Sequence, residues 1–277
     1  MRLAAFYENI MEGADAEGRD MKSAVRELMD YGLERLYISY WTLRHRGGEL
    51  AEVLADTGIG VEGLHGHFEL GAAPSEPGPE MMIREAKRLG AENVLIVPGM
   101  IPPEQPAERE MRLENMRSAL RRAVRYGEEQ KIAVTMEDFD GLDAPYNSVD
   151  GLADFLNSVP GLGCSFDTGN FVMYHEDALA ALPRFREKLC NIHLKDRSLF
   201  PHEGDSLGKI VSDGTKVYAA AVGTGCIPIR EILQLLYSWR FGGTVIVELY
   251  GYEPRRMLDG LRRSLQWTGA QLKALES

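Results

Sequence analysis

Four short segments end a largely apolar run in a residue that can bind a metal. They are V-T-M-Glu137, C-S-F-Asp167, C-N-I-His193 and V-I-V-Glu248. Runs of this length and composition read as buried strands. If the four strands are parallel neighbours in one barrel, Glu137, Asp167, His193 and Glu248 meet at one end of it. Unpaired carboxylates crowded into a partly dry site are costly, and a divalent cation among them removes that cost. Three carboxylates and one imidazole suit Mn²⁺ first, with Mg²⁺, Co²⁺, Fe²⁺ or Zn²⁺ as alternatives. Two open positions would remain for a bidentate substrate. Each residue alone has a plainer role. Asp167 before Thr168-Gly169-Asn170 can cap a turn, a strand-end glutamate can be solvated, and a strand histidine can be a bonded core residue. Four such residues at consecutive strand ends favour the metal.

The elements that must position them alternate along the chain. Strand-like runs fall at 3–6, 36–40, 61–68, 93–97, 132–137, 162–167, 189–194 and 244–249. Helical spacing predicts helices over 19–31, 49–56, 80–89, 107–129, 149–156, 178–185, 229–237 and 254–275. The clearest places Leu113, Met116, Leu120 and Val124 on one face. Eight strands each followed by a helix predict an α/β (β/α)8 TIM barrel, one domain over residues 1–277. The segments 74–79 and 102–106 read as turn-rich loops rather than tethers. Residues 197–225 form the one extended connection. Within it, 209–211 and 216–218 read as a β-hairpin around Asp213-Gly214. Long loops at the C-terminal face of a barrel belong to active sites, so this hairpin is expected to cover the site in part.

Composition narrows the function. The net charge is −11 over 277 residues, which disfavours a phosphate backbone as partner. Three cysteines, Cys164, Cys190 and Cys226, have no metal-type spacing. The N-terminus has no signal-peptide pattern and no apolar stretch reaches the length of a membrane span. The expectation is a cytoplasmic protein acting on a small molecule, with no nucleic-acid or membrane partner.

Met136-Glu137-Asp138, Phe166-Asp167-Thr168-Gly169-Asn170, Ile192-His193-Leu194-Lys195-Asp196 and Val247-Glu248-Leu249 carry a family resemblance. They resemble the signature segments of the xylose isomerase-like barrels. That group includes sugar isomerases and epimerases of the D-tagatose 3-epimerase type, and endonuclease IV. Gly223-Thr224-Gly225 before a helix, with Gly242-Gly243 before the last strand, is also similar. The resemblance spans essentially the whole chain. It implies one divalent ion, a sugar or sugar derivative as substrate, and isomerisation or epimerisation through a metal-stabilised enediolate. Glu137 and Glu248 would each be ligand and acid/base, while Asp167 and His193 would hold the metal only. Pairing into a homodimer is common among such barrels. Two departures stand out. Asn170 replaces a histidine of the endonuclease pattern, and no Asp-x-His pair follows His193, so the three-metal DNA-repair site is not expected. Thr224 stands where the family often carries glutamate. A cyclic-polyol dehydratase and a catalytically inactive sugar-binding barrel are the alternatives.

Other residues are candidates for substrate contact. His65 and His67 share one strand face, and His67, nearer the C-terminal end, could touch a hydroxyl. Trp41 and Phe6 end strands and could wall the sugar carbons, although packing inside the barrel is the simpler role for Phe6. Asn170 could bond substrate or cap a turn. Arg197 could grip an oxygen-rich substrate. Glu8 is expected to be solvated and His175 to be a loop residue. Gly223-x-Gly225 sits where barrels often bind phosphate.

Overall fold

The computed structural model describes residues 1–72, 78–102 and 106–276. The barrel begins with β1 (Arg2–Phe6), β2 (Arg35–Ser39), β3 (Gly60–His67), β4 (Asn93–Val97), β5 (Ala133–Met136), β6 (Gly163–Asp167) and β7 (Leu189–Leu194). Three short strands follow, β8 (Asp196–Ser198), β9 (Lys209–Ile210) and β10 (Lys216–Ala220), and β11 (Thr244–Val247) is the last barrel strand. The closed order is β1-β11-β7-β6-β5-β4-β3-β2. Every barrel pair is parallel. The expected (β/α)8 barrel is therefore the observed one, with β5, β6, β7 and β11 as neighbours.

The helices are α1 (Tyr7–Glu17), α2 (Met21–Asp30), α3 (Tyr40–Thr57), α4 (Pro79–Arg88), α5 (Arg109–Gln130), α6 (Val149–Ser158), α7 (Ala178–Ala181), α8 (Ile229–Ser238) and α9 (Met257–Glu276). Two helices, not one, follow β1. Helix α1 was hidden because its buried face includes Gly13 and Ala14, which give little hydrophobic signal. Gly13 is small for a reason: a Cβ there would stand 2.9 Å from Leu258 Cγ of α9. Gly18 ends α1 in the left-handed region at φ 63°, and the Asp20 carboxylate then caps α2 by accepting from the Ser23 N–H. Helix α3 starts nine residues earlier than the spacing at 49–56 predicts, because Gly47-Gly48 and a non-helical Arg46 interrupt its pattern. Residues 73–77 and 103–105, within the two turn-rich loops, lie outside the described residues.

Alternation along the strands decides which side chains face inward. On β11, Val245 and Val247 join the core beneath the helices, while Ile246 joins Phe6, Tyr37 and Leu95 inside the barrel. Glu248 is the next inward position. The N-terminal end of the barrel is closed by ions. Arg2 Nη2 donates to Glu92 Oε2 at 2.7 Å. Arg35 Nε stands 2.9 Å from buried Glu62, an ion pair whose N–H is not aimed at the oxygen. Asn93 Nδ2 also bonds Glu62.

Strands β8, β10 and β9 form an antiparallel sheet in that order. The expected hairpin is its β9–β10 half, turned by Asp213, whose Oδ1 accepts from the Thr215 N–H at 2.9 Å. No helix among the described residues is long and apolar enough to cross a membrane.

Candidate metal centre

The C-terminal strand ends bring the four residues together. Asp167 ends β6, His193 lies near the end of β7, and Glu137 and Glu248 each follow one residue after β5 and β11. Asp167 and His193 are fully buried, and the two glutamates are each 8% exposed. One ligand atom from each of the four lies within 4.8 Å of the others. His193 Nδ1 is 3.1 Å from Glu137 Oε2 and 3.3 Å from Glu248 Oε2. Asp167 Oδ2 and both ring nitrogens of His193 are buried without a well-directed hydrogen bond. Buried polar atoms are nearly always satisfied, so these orphaned atoms, converging with two glutamates, are the donor set a divalent cation requires. The residues fit the group.

The electrostatics express the crowding. Burial alone would lower the His193 pKa, but the two glutamates outweigh it and push it up to about 10. Burial raises Asp167 to about 7, with Lys195 pulling the other way and Glu248 and Glu137 adding repulsion. Burial opposes the charge on Glu248 too, yet Lys195 and His193 bring its pKa below the usual carboxylate range. Asp138 is buried beside them and raised well above its ordinary value, first by burial and then by Asp167.

Lys195 is the residue the sequence reading passed over. Its Nζ is 2.5 Å from Glu248 Oε1 and 3.1 Å from Asp167 Oδ2. Two residues past His193, it follows the inward alternation of β7, and that spacing was the available signal. Asn170 is also buried. Its Nδ2 donates to the Asp138 carbonyl at 2.8 Å, and its Oδ1 accepts from Lys195 Nζ at 2.9 Å. Asn170 thus orients the lysine.

Above the cluster opens a cavity of about 360 Å³, within the range of small-molecule sites. Glu137, Glu248 and Lys195 form part of its floor, and Phe6, His65 and His67 part of its wall. Phe6 sits edge-on to His193, with ring centroids 5.1 Å apart. The His67 ring meets Phe139 edge-on; burial, then His65, lowers its pKa. Trp41 is not among the lining residues; its indole N–H donates to the His67 carbonyl and its ring packs on Phe68. Arg197 is 3% exposed, its Nη2 held 3.2 Å from Asp140 Oδ2 and its Nε donating to the Gly169 carbonyl. It stands behind the cavity wall. Lys209 of the hairpin reaches Asp140 Oδ1 at 2.7 Å and lines the cavity, so the hairpin does border the site. Glu8 is not a solvated residue. Its Oε1 accepts from the Ser39 N–H and its Oε2 lies 3.3 Å from His65 Nε2. His175 is a loop residue, paired with Asp213 at 3.3 Å.

A family model, the xylose isomerase-like TIM barrel, matches residues 33–271. The chain belongs to the xylose isomerase-like TIM barrel family. Comparison with curated protein sequences finds no match. Among solved structures, the IolI protein with a bound zinc atom is 18% identical, with a TM-score of 0.74 over 99% of both chains. A D-tagatose 3-epimerase-like protein is 15% identical, with a TM-score of 0.69 over 100% of this chain and 98% of that one. A probable 3-DHS dehydratase from Bacillus anthracis is 13% identical, with a TM-score of 0.70 over 97% and 99%. At these identities the likeness establishes the fold.

Proposed function

We propose that this barrel is a metal-dependent isomerase or epimerase of a small sugar, moving protons at carbons beside a carbonyl. The observation that carries the reading is the buried convergence of Glu137, Asp167, His193 and Glu248, two of which, Glu137 and Glu248, line the cavity floor. All four would hold a single divalent ion. When bound, such an ion supplies Lewis-acid polarisation of a carbonyl and its neighbouring hydroxyl.

The chain's own groups do the rest. Glu137 follows β5 and Glu248 follows β11, on opposite sides of β7 in the strand order, and each would face a different side of a substrate carbon. One takes the proton and the other returns one. Return to the opposite face of the same carbon gives an epimer; return to the adjacent carbon gives an aldose–ketose isomer. Lys195 offsets the charge of Glu248 and Asp167, and Asn170 keeps it there. His67 is a donor or acceptor for a substrate hydroxyl. Phe6 shields the reacting carbons from water. Arg197 acts at one remove, by fixing Asp140 and the cavity wall.

A dehydratase uses the same first proton removal. The test is metal content together with solvent deuterium incorporation into ketoses, in wild type and His193→Ala. About one tightly held ion per chain, with deuterium entering beside the carbonyl and both lost in the variant, is the expected result. Absence of bound metal in Mn²⁺-loaded wild type would sink the reading. Net loss of water from a cyclic keto-polyol would move it to the dehydratase.

A further inference from the structure

Two backbone N–H clusters near the cavity already engage the chain's own carboxylates. The first follows β7, at the position where barrels often hold phosphate. There the N–H groups of Gly223 and Gly225 donate to Asp196 Oδ2, each at 2.9 Å. Those of Arg197 and Ile227 donate to Asp196 Oδ1, at 2.8 and 3.2 Å. A Cβ at Gly225 would fall 2.2 Å from Asp196 Oδ1, so the glycine spacing serves the aspartate.

The second socket is the N-terminus of α3, which opens on the cavity through Ser39. Helix N-termini attract anions, and here the anion is Glu8, accepting from the Ser39 N–H at 3.0 Å. One turn further along α1, Glu12 also lines the cavity and has no ion-pair partner among the described residues. The cations of the cavity are engaged: Lys195 with Asp167 and Glu248, and Lys209 with Asp140, which also holds Arg197. A separate cavity contains Arg256 and Arg263 but shares no lining residue with this one.

We infer that the site takes an uncharged polyol and rejects its phosphate ester, with Glu8 and Glu12 as the specificity residues. This rests on the sugar reading above. With the metal taken up by the carbonyl and its neighbouring hydroxyl, the phosphate of a phosphorylated ligand would meet two carboxylates with no unengaged lysine or arginine among the described lining residues to offset them, whereas hydroxyl groups can donate to both.

The test measures binding to the Mn²⁺-loaded chain, freed of excess metal, by titration calorimetry. The probes are D-fructose and D-tagatose, each against its 6-phosphate. The uncharged sugar is expected to bind at least about tenfold more tightly. Glu12→Gln, which removes no hydrogen bond, is expected to narrow that ratio severalfold, and Glu8→Gln with Glu12→Gln to narrow it further. Equal or tighter binding of a 6-phosphate by wild type overturns the inference alone, as does an unchanged ratio in Glu12→Gln. Failure of the metal-loaded chain to bind any of the four overturns the sugar reading and this inference with it.

Discussion

The two ends of the barrel handle buried charge in opposite ways. At the N-terminal end, Arg2 and Arg35 face Glu62 and Glu92, so the charges balance within the chain. At the C-terminal end, Glu137, Asp138, Asp140, Asp167 and Glu248 outnumber Lys195, Arg197 and Lys209. Both clusters are held by strand ends of the same sheet, so the fold does not dictate the difference. A balanced cluster is a structural closure. An unbalanced one, kept against its cost, marks where a ligand of the missing sign belongs.

Breaking each end separately is expected to give unlike results. Glu137→Gln or Glu248→Gln should reduce turnover about 10³-fold with little change in thermal stability, read by deuterium exchange and calorimetry. At the other end, Glu62→Leu removes the buried partner of Arg35, leaving it only the more exposed Glu92 at 3.6 Å, and should cost about 3 kcal/mol. Urea unfolding would measure that loss, and metal content should stay unchanged. If Glu62→Leu also emptied the metal centre, the two ends would not be independent. Mn²⁺ at a hundred times its Kd should stabilise the wild type by about 2.7 kcal/mol, and this gain should vanish in His193→Ala.

The smallest effect is acid sensitivity at the N-terminal end. The Glu92 pKa is lowered, chiefly by the Arg2 hydrogen bond. Its stabilising effect is present above the unfolded value and drains away as the pH falls through the folded one. Arg2→Met should therefore flatten the loss of stability below about pH 4.5. Because Glu92 is half exposed, solvent screens the pair and the change is small.

The convergence of the four strand-end residues was legible because two-residue alternation and the βα repeat both act over short spans. Lys195 was legible by the same alternation, had it been applied past His193. Glu8, Lys209 and Asp196 were not. Each owes its place to a contact across many residues: Glu8 to Ser39, Lys209 to Asp140, and Asp196 to the Gly223–Gly225 turn. Trp41 and Arg197 were read as site residues from position alone, and loop packing turned both toward neighbours instead. Helix α1 escaped notice for a related reason: beyond Tyr7 and Ile10 its buried face continues through Gly13, which fits against α9 by small size rather than by hydrophobicity.

The register of β1 against β11, with Arg2 beside Thr244 and Ala5 beside Val247, sets an order of events during synthesis. A ribosome delivers β1 first and β11 last, so until Thr244–Val247 emerges β1 and β7 both present unpaired edges. Glu248 arrives one residue after the strand that seals those edges. The emerging chain therefore has no complete four-residue cluster while those edges are open, and the barrel closes and the cluster is completed together.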